Sequence, residues 1–251
     1  MESHEHFAAA LDALAWQVEL GADEAIGDVP IDRLAAPAPD PVAVVPLAEV
    51  KPVAVVAAGP DLAGVTSLEA LRAAMEGFEG CALKKGARNT VFCDGNPAAR
   101  VMIIGEAPGR DEDIEGRPFV GRSGQLLDRM LAAIGLSRRA DDPGAAVYIT
   151  NVLPWRPPQN RDPAADEVAM LLPFLQRHIE LAAPEVLVTM GNTATKTVLD
   201  TTTGITRMRG NWAVYNGIPV MPMLHPAALL RNPLQKREAW ADLLDIRARL
   251  E

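Results

Sequence analysis

The sequence predicts an α/β protein, a three-layer α/β/α sandwich around a central four-stranded parallel sheet. Three observations carry this expectation. Four short apolar runs, at residues 101–104, 147–150, 186–190 and 220–224, each open on Val and have the length of strands buried on both faces. Segments with apolar residues recurring near every 3.6 positions lie between and after them, at 124–134, 166–182, a shorter stretch ending near 199, and 236–250. Strand and helix alternate in order, which makes the strands parallel and covers both faces of the sheet.

Upstream of that pattern the chain is different. Residues 6–20, HFAAALDALAWQVEL, have the spacing of a short amphipathic helix suited to packing or to contact with a partner. Residues 34–66 are rich in Ala, Pro and Val, with prolines at 37, 39, 41, 46, 52 and 60, and read as an extended, poorly ordered linker. A second helix is expected at 67–78 with Ser67 as its N-cap. A loop comes next at 80–99, holding Cys81, Lys84, Lys85, Arg88 and Cys93. The expected division is therefore a partly disordered appendage at 1–66 and a folded domain at 67–251. Within that domain, Asp111, Glu112 and Asp113 read as a solvated acidic loop, and 204–219 as irregular or edge-strand structure.

Composition narrows the class. The chain has 251 residues, 49% of them apolar, enough for a full core. It contains no apolar run of membrane-spanning length, and a soluble, cytoplasmic, monomeric protein is expected. Two cysteines are consistent with a reducing compartment and with no disulfide framework. The net charge of −9 is unevenly spread. Residues 1–80 carry three basic and fourteen acidic side chains, whereas twenty-one basic face nineteen acidic in the remainder. The acidity belongs to the appendage, and the domain is compatible with an anionic partner such as nucleic acid.

The residues that end the predicted strands are chemically pointed. Glu106 comes after the first, within Gly105-Glu106-Ala107-Pro108-Gly109; Asn151 after the second; Gly191 and Asn192 after the third; His225 after the fourth. In a parallel sheet these junctions share one edge, where ligands bind in open α/β folds. A carboxylate, two amides and an imidazole would meet there, with Phe119 in the adjoining loop as an aromatic wall. No His, Cys, Asp or Glu spacing suits a metal, and the Gly105 turn matches neither a Walker loop nor a dinucleotide fingerprint. No lysine falls at a strand end, so Schiff-base chemistry is not expected. His178 lies within a helix and reads as structural, and both cysteines read as inert.

Six motifs together carry a family resemblance: GEAPG (105–109), EGRPFVG (115–121), TNVLPWRPPQNRDP (150–163), MGNTA (190–194), RMRGNW (207–212) and HPAALLRNP (225–233). From about residue 78 to 250 the chain resembles the uracil-DNA glycosylase superfamily, most closely its family 4. The resemblance implies the same sandwich, with Gly105 and Ala107 in the substrate-binding turn. It implies that Phe119 stacks on a flipped uracil, that Asn151 reads its polar edge, that His225 hydrogen-bonds the base oxygen that gains charge, and that Glu106 stands near the attacking water. For DNA contacts, Arg209 and Arg231 are candidates for phosphate, with plain surface charge as the competing reading. Leu229, or its neighbour Leu230, is a candidate wedge, with core packing as the competing reading.

In one respect the chain departs from the family. Family 4 members hold a [4Fe–4S] cluster on four cysteines, and the aligned positions here are Phe78, Cys81, Trp155 and Leu171. One thiolate is too few for cysteine ligation, so the resemblance implies a relative without the cluster and without any metal. The expected activity is hydrolysis of the uracil N-glycosidic bond in DNA to leave an abasic site. The alternative is a catalytically inactive nucleic-acid-binding module of the same fold.

Overall fold

In a computed structural model of the chain, Pro60 and residues 62–251 are described. The expected helix at 6–20 and nearly all of the expected linker lie outside them. The first helix, α1 (Leu68–Gly77), starts at Ser67, whose hydroxyl accepts from the Ala70 N–H at 3.2 Å and satisfies one of the orphan donors of the first turn. A one-turn α2 (Leu83–Gly86) and the short β1 (Asp94–Gly95) precede the main sheet.

The sheet order is β1-β3-β2-β4-β6-β5, formed by β2 (Val101–Gly105), β3 (Val147–Asn151), β4 (Val186–Met190), β5 (Ala213–Tyr215) and β6 (Ile218–Met223). The four expected strands form its parallel centre. Two edge strands, β1 on β3 and β5 on β6, add to it in antiparallel sense. They are short and half-solvated, so they carry little of the apolar signal that marks the centre.

Side chains alternate along β2. Met102 and Ile104 enter one core with Leu71, Trp155, Leu171 and Phe174; Val101 and Ile103 enter the other with Leu127, Leu131, Leu243 and Ile246. The first core is roofed by α1 and α5 (Ala165–Ala182), the second by α4 (Arg122–Ala133) and α9 (Lys236–Leu250). This is the three-layer arrangement, and both faces of the central strands are dry. Met102, Ile103 and Ile104 have no exposed surface, and burying each side chain contributes about 1.5–3 kcal/mol. The remaining helices are α3 (Arg110–Glu115), α6 (Asn192–Leu199), α7 (Ile205–Met208) and α8 (Pro226–Arg231).

His178 is structural. Its Nε2 lies 2.8 Å from the Tyr148 hydroxyl and its ring stacks on Phe92. Burial holds its pKa down at about 4, so it stays neutral within the first core.

Candidate active site

Parallel strands bring their C-terminal ends to one edge, and the register fixes who meets there. Gly105, the last residue of β2, pairs with Asn151, the last of β3. A Cβ on Gly105 would lie 2.3 Å from the Asn151 amide oxygen and 2.6 Å from the Phe119 ring. Glycine is required because the amide and the aromatic both close over its Cα. Beyond this contact lies a cavity of about 340 Å³. Its lining includes Glu106, Ala107, Phe119, Asn151, His225 and Arg231, so six of the nine expected site residues face one space, and Gly105 packs beneath two of them, Asn151 and Phe119.

His225 caps α8. Its Nδ1 accepts from the Ala227 N–H at 3.1 Å, which leaves the ring proton on Nε2. The crowded surroundings and then the nearby Arg231 charge lower its pKa to about 4, although part of its surface faces the cavity. The site therefore holds a neutral imidazole with one N–H to donate. The ring lies 5.3 Å from that of Phe119, stacked at 25°.

Phe119 adopts φ +54°, a left-handed conformation that costs an aromatic residue on the order of 1–2 kcal/mol. Its surroundings impose it. Arg138 donates to the Pro118 carbonyl at 2.9 Å and to the Phe119 carbonyl at 3.0 Å, and is itself held by Asp94 and Asp128. From the other side the Glu112 carboxylate accepts from the backbone N–H groups of Gly109, Val120 and Gly121 at 3.1, 3.0 and 2.9 Å. Gly124 completes the clamp, since a Cβ there would fall 1.7 Å from the Phe119 carbonyl oxygen.

The acidic stretch 111–113 thus requires a correction. It is helix α3 rather than a solvated loop, and of the three carboxylates only Asp111 is exposed. Glu112 clamps the aromatic loop, and buried Asp113 accepts from the Arg88 N–H at 2.8 Å. Spacing along the chain hints only at the Gly109 contact, three residues back, because the other partners of both carboxylates are backbone groups from elsewhere in the chain. Replacing Glu112 by Gln should remove one acceptor oxygen and set an NH2 group against buried N–H donors. A loss of about 2–3 kcal/mol is expected, lowering the melting temperature by about 5–10 °C. Calorimetry on the variant checks it, and an unchanged transition would show that the clamp carries no weight.

Two expected DNA contacts are placed elsewhere. Arg209 does not line the cavity. Its guanidinium is engaged by Asp242, which is 1% exposed, and by the Glu238 carbonyl, so it ties the segment after α7 to α9. The ion pair holds the Arg209 pKa above its ordinary value. Leu229 is 1% exposed and belongs to the second core, whereas its neighbour Leu230 is exposed. The period of α8 turns one inward and the other out. Asn192, expected at the site, is instead directed to the Ile205 N–H at 2.8 Å. Its neighbour Thr193 donates to Glu106 at 2.6 Å and was not anticipated, nor were Ser123, Asn160 and Arg161 in the cavity lining. Asn160, in the cavity lining, and its neighbour Gln159 both have positive φ, at 54° and 57°.

The four positions aligned with cluster ligands are packed. Cys81, Trp155 and Leu171 are buried within the first core, and Phe78 meets Phe174 edge-on at 5.4 Å. The Trp155 indole N–H donates to the Thr90 hydroxyl at 3.1 Å. Burial raises the Cys81 thiol pKa, away from the thiolate that ligation needs. These residues do not fit a [4Fe–4S] cluster. Among the described residues, no group of three or more His, Cys, Asp or Glu is placed to hold a metal ion.

Fold and site define an α/β protein with a polar, aromatic-walled cavity at the carboxyl edge of a parallel sheet. The family model described as "Uracil DNA glycosylase superfamily" matches residues 92–244. The type-4 uracil-DNA glycosylase of Sulfurisphaera tokodaii is 40% identical over 190 residues, covering 72% of this chain and 84% of the relative. That of Archaeoglobus fulgidus is 43% identical over 177 residues, covering 66% and 84%. A type-5 uracil-DNA glycosylase of Pyrobaculum aerophilum is 34% identical over 149 residues, covering 55% and 66%. The chain belongs to the uracil DNA glycosylase superfamily.

Proposed function

We propose that the protein is a monofunctional uracil-DNA glycosylase acting in DNA repair, and that it works as a monomer without an iron–sulfur cluster. The observation that carries the reading is the convergence of Glu106, Phe119, Asn151 and His225 on one cavity in a chain of this superfamily. The names of the type-4 relatives support the substrate.

In this mechanism the uracil nucleotide leaves the duplex, at a cost of a few kcal/mol that the cavity must offset. The base lies against Phe119, whose clamped ring is ready before substrate arrives. The Asn151 amide meets the uracil edge, donating to O4 and accepting from N3–H. As the bond to the sugar lengthens, negative charge gathers on the base. The Nε2–H of neutral His225 donates to the charged oxygen, and Arg231 adds a favourable field. As the C–N bond breaks, uracil leaves as an anion held by His225. Water beside Glu106 adds to the sugar carbon and gives its proton to the Glu106 carboxylate, which later releases it to solvent, and the abasic site remains. Leu230, the exposed member of its pair, fills the space left in the stack, and Arg231 contacts phosphate. Exposed Lys196 stands away from this chemistry, and no amine attacks the sugar.

Single- and double-stranded oligonucleotides with one uracil test the reading. Alkali-labile product from both, or from either, supports it. Retention without cleavage would favour the inactive binding module, and cleavage of free deoxyuridine alone would favour a nucleoside hydrolase.

The purified protein is expected to be colourless and free of iron and zinc, since three of the four family ligand positions are apolar. Elemental analysis decides this, and about four irons per chain with visible absorbance would refute it. Residues 1–66 are proposed to be an appendage separate from the catalytic domain at 67–251. A chain lacking them should keep most of its single-turnover rate. A truncated protein that melts cooperatively yet cannot cut would show that the appendage completes the site.

A further inference from the structure

We propose that Thr193 is a positioning residue of the reaction, its hydroxyl holding one oxygen of the Glu106 carboxylate so that the other is presented to the attacking water. The proposal rests on reading the cavity as a glycosylase site. The Thr193 hydroxyl donates to Glu106 Oε2 at 2.6 Å, a short, charge-assisted contact. Oε1 has no protein partner among the described residues, and Glu106 lines the cavity while Thr193 does not. One carboxylate oxygen is thus tied from behind and the other is left for solvent or substrate.

Local structure explains why this threonine can do so. Thr193 is the second residue of α6, which begins at Gly191 with no side-chain cap. β-Branching restricts its χ1, so the hydroxyl direction is stiff. The polar side chains beside it are occupied elsewhere: Asn192 accepts from Ile205, and Thr195 lies 2.9 Å from Thr189. The uncapped first turn also places partial positive charge near the carboxylate. The same turn touches the other catalytic candidate, since Gly191 has φ +91° and a Cβ there would lie 3.2 Å from the His225 Cβ. The turn from β4 into α6 therefore sets the spacing of Glu106 and His225 together. Apart from the Thr193 contact, Glu106, just beyond the end of β2, is held only through its backbone, and its side chain has three torsions. Without Thr193 its carboxylate samples several directions, and water is aimed less often.

The test is single-turnover cleavage of a uracil oligonucleotide by the full chain, comparing wild type with Thr193→Val and Thr193→Ser, each with and without Glu106→Gln. Thr193→Val removes the donor and keeps the shape, so the rate at saturating enzyme should fall about 10–100-fold. The half-saturating enzyme concentration should stay within about twofold, because Thr193 does not touch substrate. Thr193→Ser restores the donor and should recover the rate to within about threefold of wild type. In the Glu106→Gln background, Thr193→Val should add little further loss, because residues acting as a unit are not additive. If Thr193→Val does not fold, Thr193→Ala replaces it with the same expectation.

Wild-type speed in a folded Thr193→Val protein overturns the proposal. So does a serine variant as slow as the valine one, or a full multiplicative loss in the double variant. Full activity of Glu106→Gln also overturns it, since the carboxylate would have no task. A wild-type protein that leaves uracil in place overturns the glycosylase reading itself, a result distinct from all of these.

Discussion

Replacing His225 by Ala is expected to slow uracil release about 100–1000-fold while leaving DNA binding within a few-fold of wild type. The reason is where the charge appears. In the ground state the uracil oxygen is a neutral carbonyl, and one more donor adds little to binding. In the transition state the departing base carries much of a negative charge, and a fixed N–H in a water-poor cavity is worth far more. The Ala227 N–H and the crowding that lowers the His225 pKa to about 4 prepare this donor in the free protein. The sign of that shift makes a second outcome. A depressed pKa keeps the imidazole neutral from pH 8 down to about 5, with imidazolium forming only near 4. An NMR titration should therefore show no protonation of His225 above pH 5. A midpoint near the ordinary value of 6.5, or single-turnover rates of the Ala variant close to wild type, would remove His225 from the donor role.

Asn151→Asp should change the choice of base as well as the rate. The amide is in register with Gly105 and lines the cavity, 7% exposed, so under the proposed role its partners are atoms of the base rather than bulk water. Uracil offers an acceptor at O4 and a donor at N3–H. Cytosine offers the reverse, an amino donor at C4 and a bare N3. An amide oriented for uracil leaves both sides unpaired against cytosine, and sites built on such hydrogen bonds discriminate by up to about 10⁴–10⁵-fold. A carboxylate at 151 presents only acceptors. It repels O4 and can accept from the cytosine amino group. Uracil excision should fall steeply, and slow cytosine excision should emerge. A loop amide with no substrate contact would instead lose stability without altering selectivity. The uracil-to-cytosine ratio of single-turnover rates, with thermal melting as the control, separates the two. An unchanged ratio in a well-folded variant would count against recognition by Asn151.

These two residues are legible in the sequence because of their place in a pattern. Each of the four central strands is a dry, short, apolar run, and the polar residue that ends it stands out against that background. Parallel connectivity then carries the ends to one edge whatever the details of packing. The same logic locates Glu106, and the apolar residues at the cluster positions are plain from alignment of motifs. The second half of α8 is ambiguous for a physical reason: Leu229 and Leu230 are chemically equal in sequence, and only the seating of the helix against α4 and α9 buries one.

What the sequence determined by itself was the alternation that makes the sheet, the family to which its motifs belong, and the set of side chains at the strand ends. Tertiary structure alone decided how those side chains are held. Arg209 and Asp242 are 33 residues apart, and an arginine's charge says nothing about which anion it will meet. Glu112 serves the backbone of a loop eight or nine residues on, and Arg138 reaches back nearly twenty residues to the same loop. Thr193 and Glu106 meet across 87 residues because β4 lies beside β2. Hydrogen bonds to backbone and contacts between distant strand ends leave no periodicity, so only the folded chain reveals them.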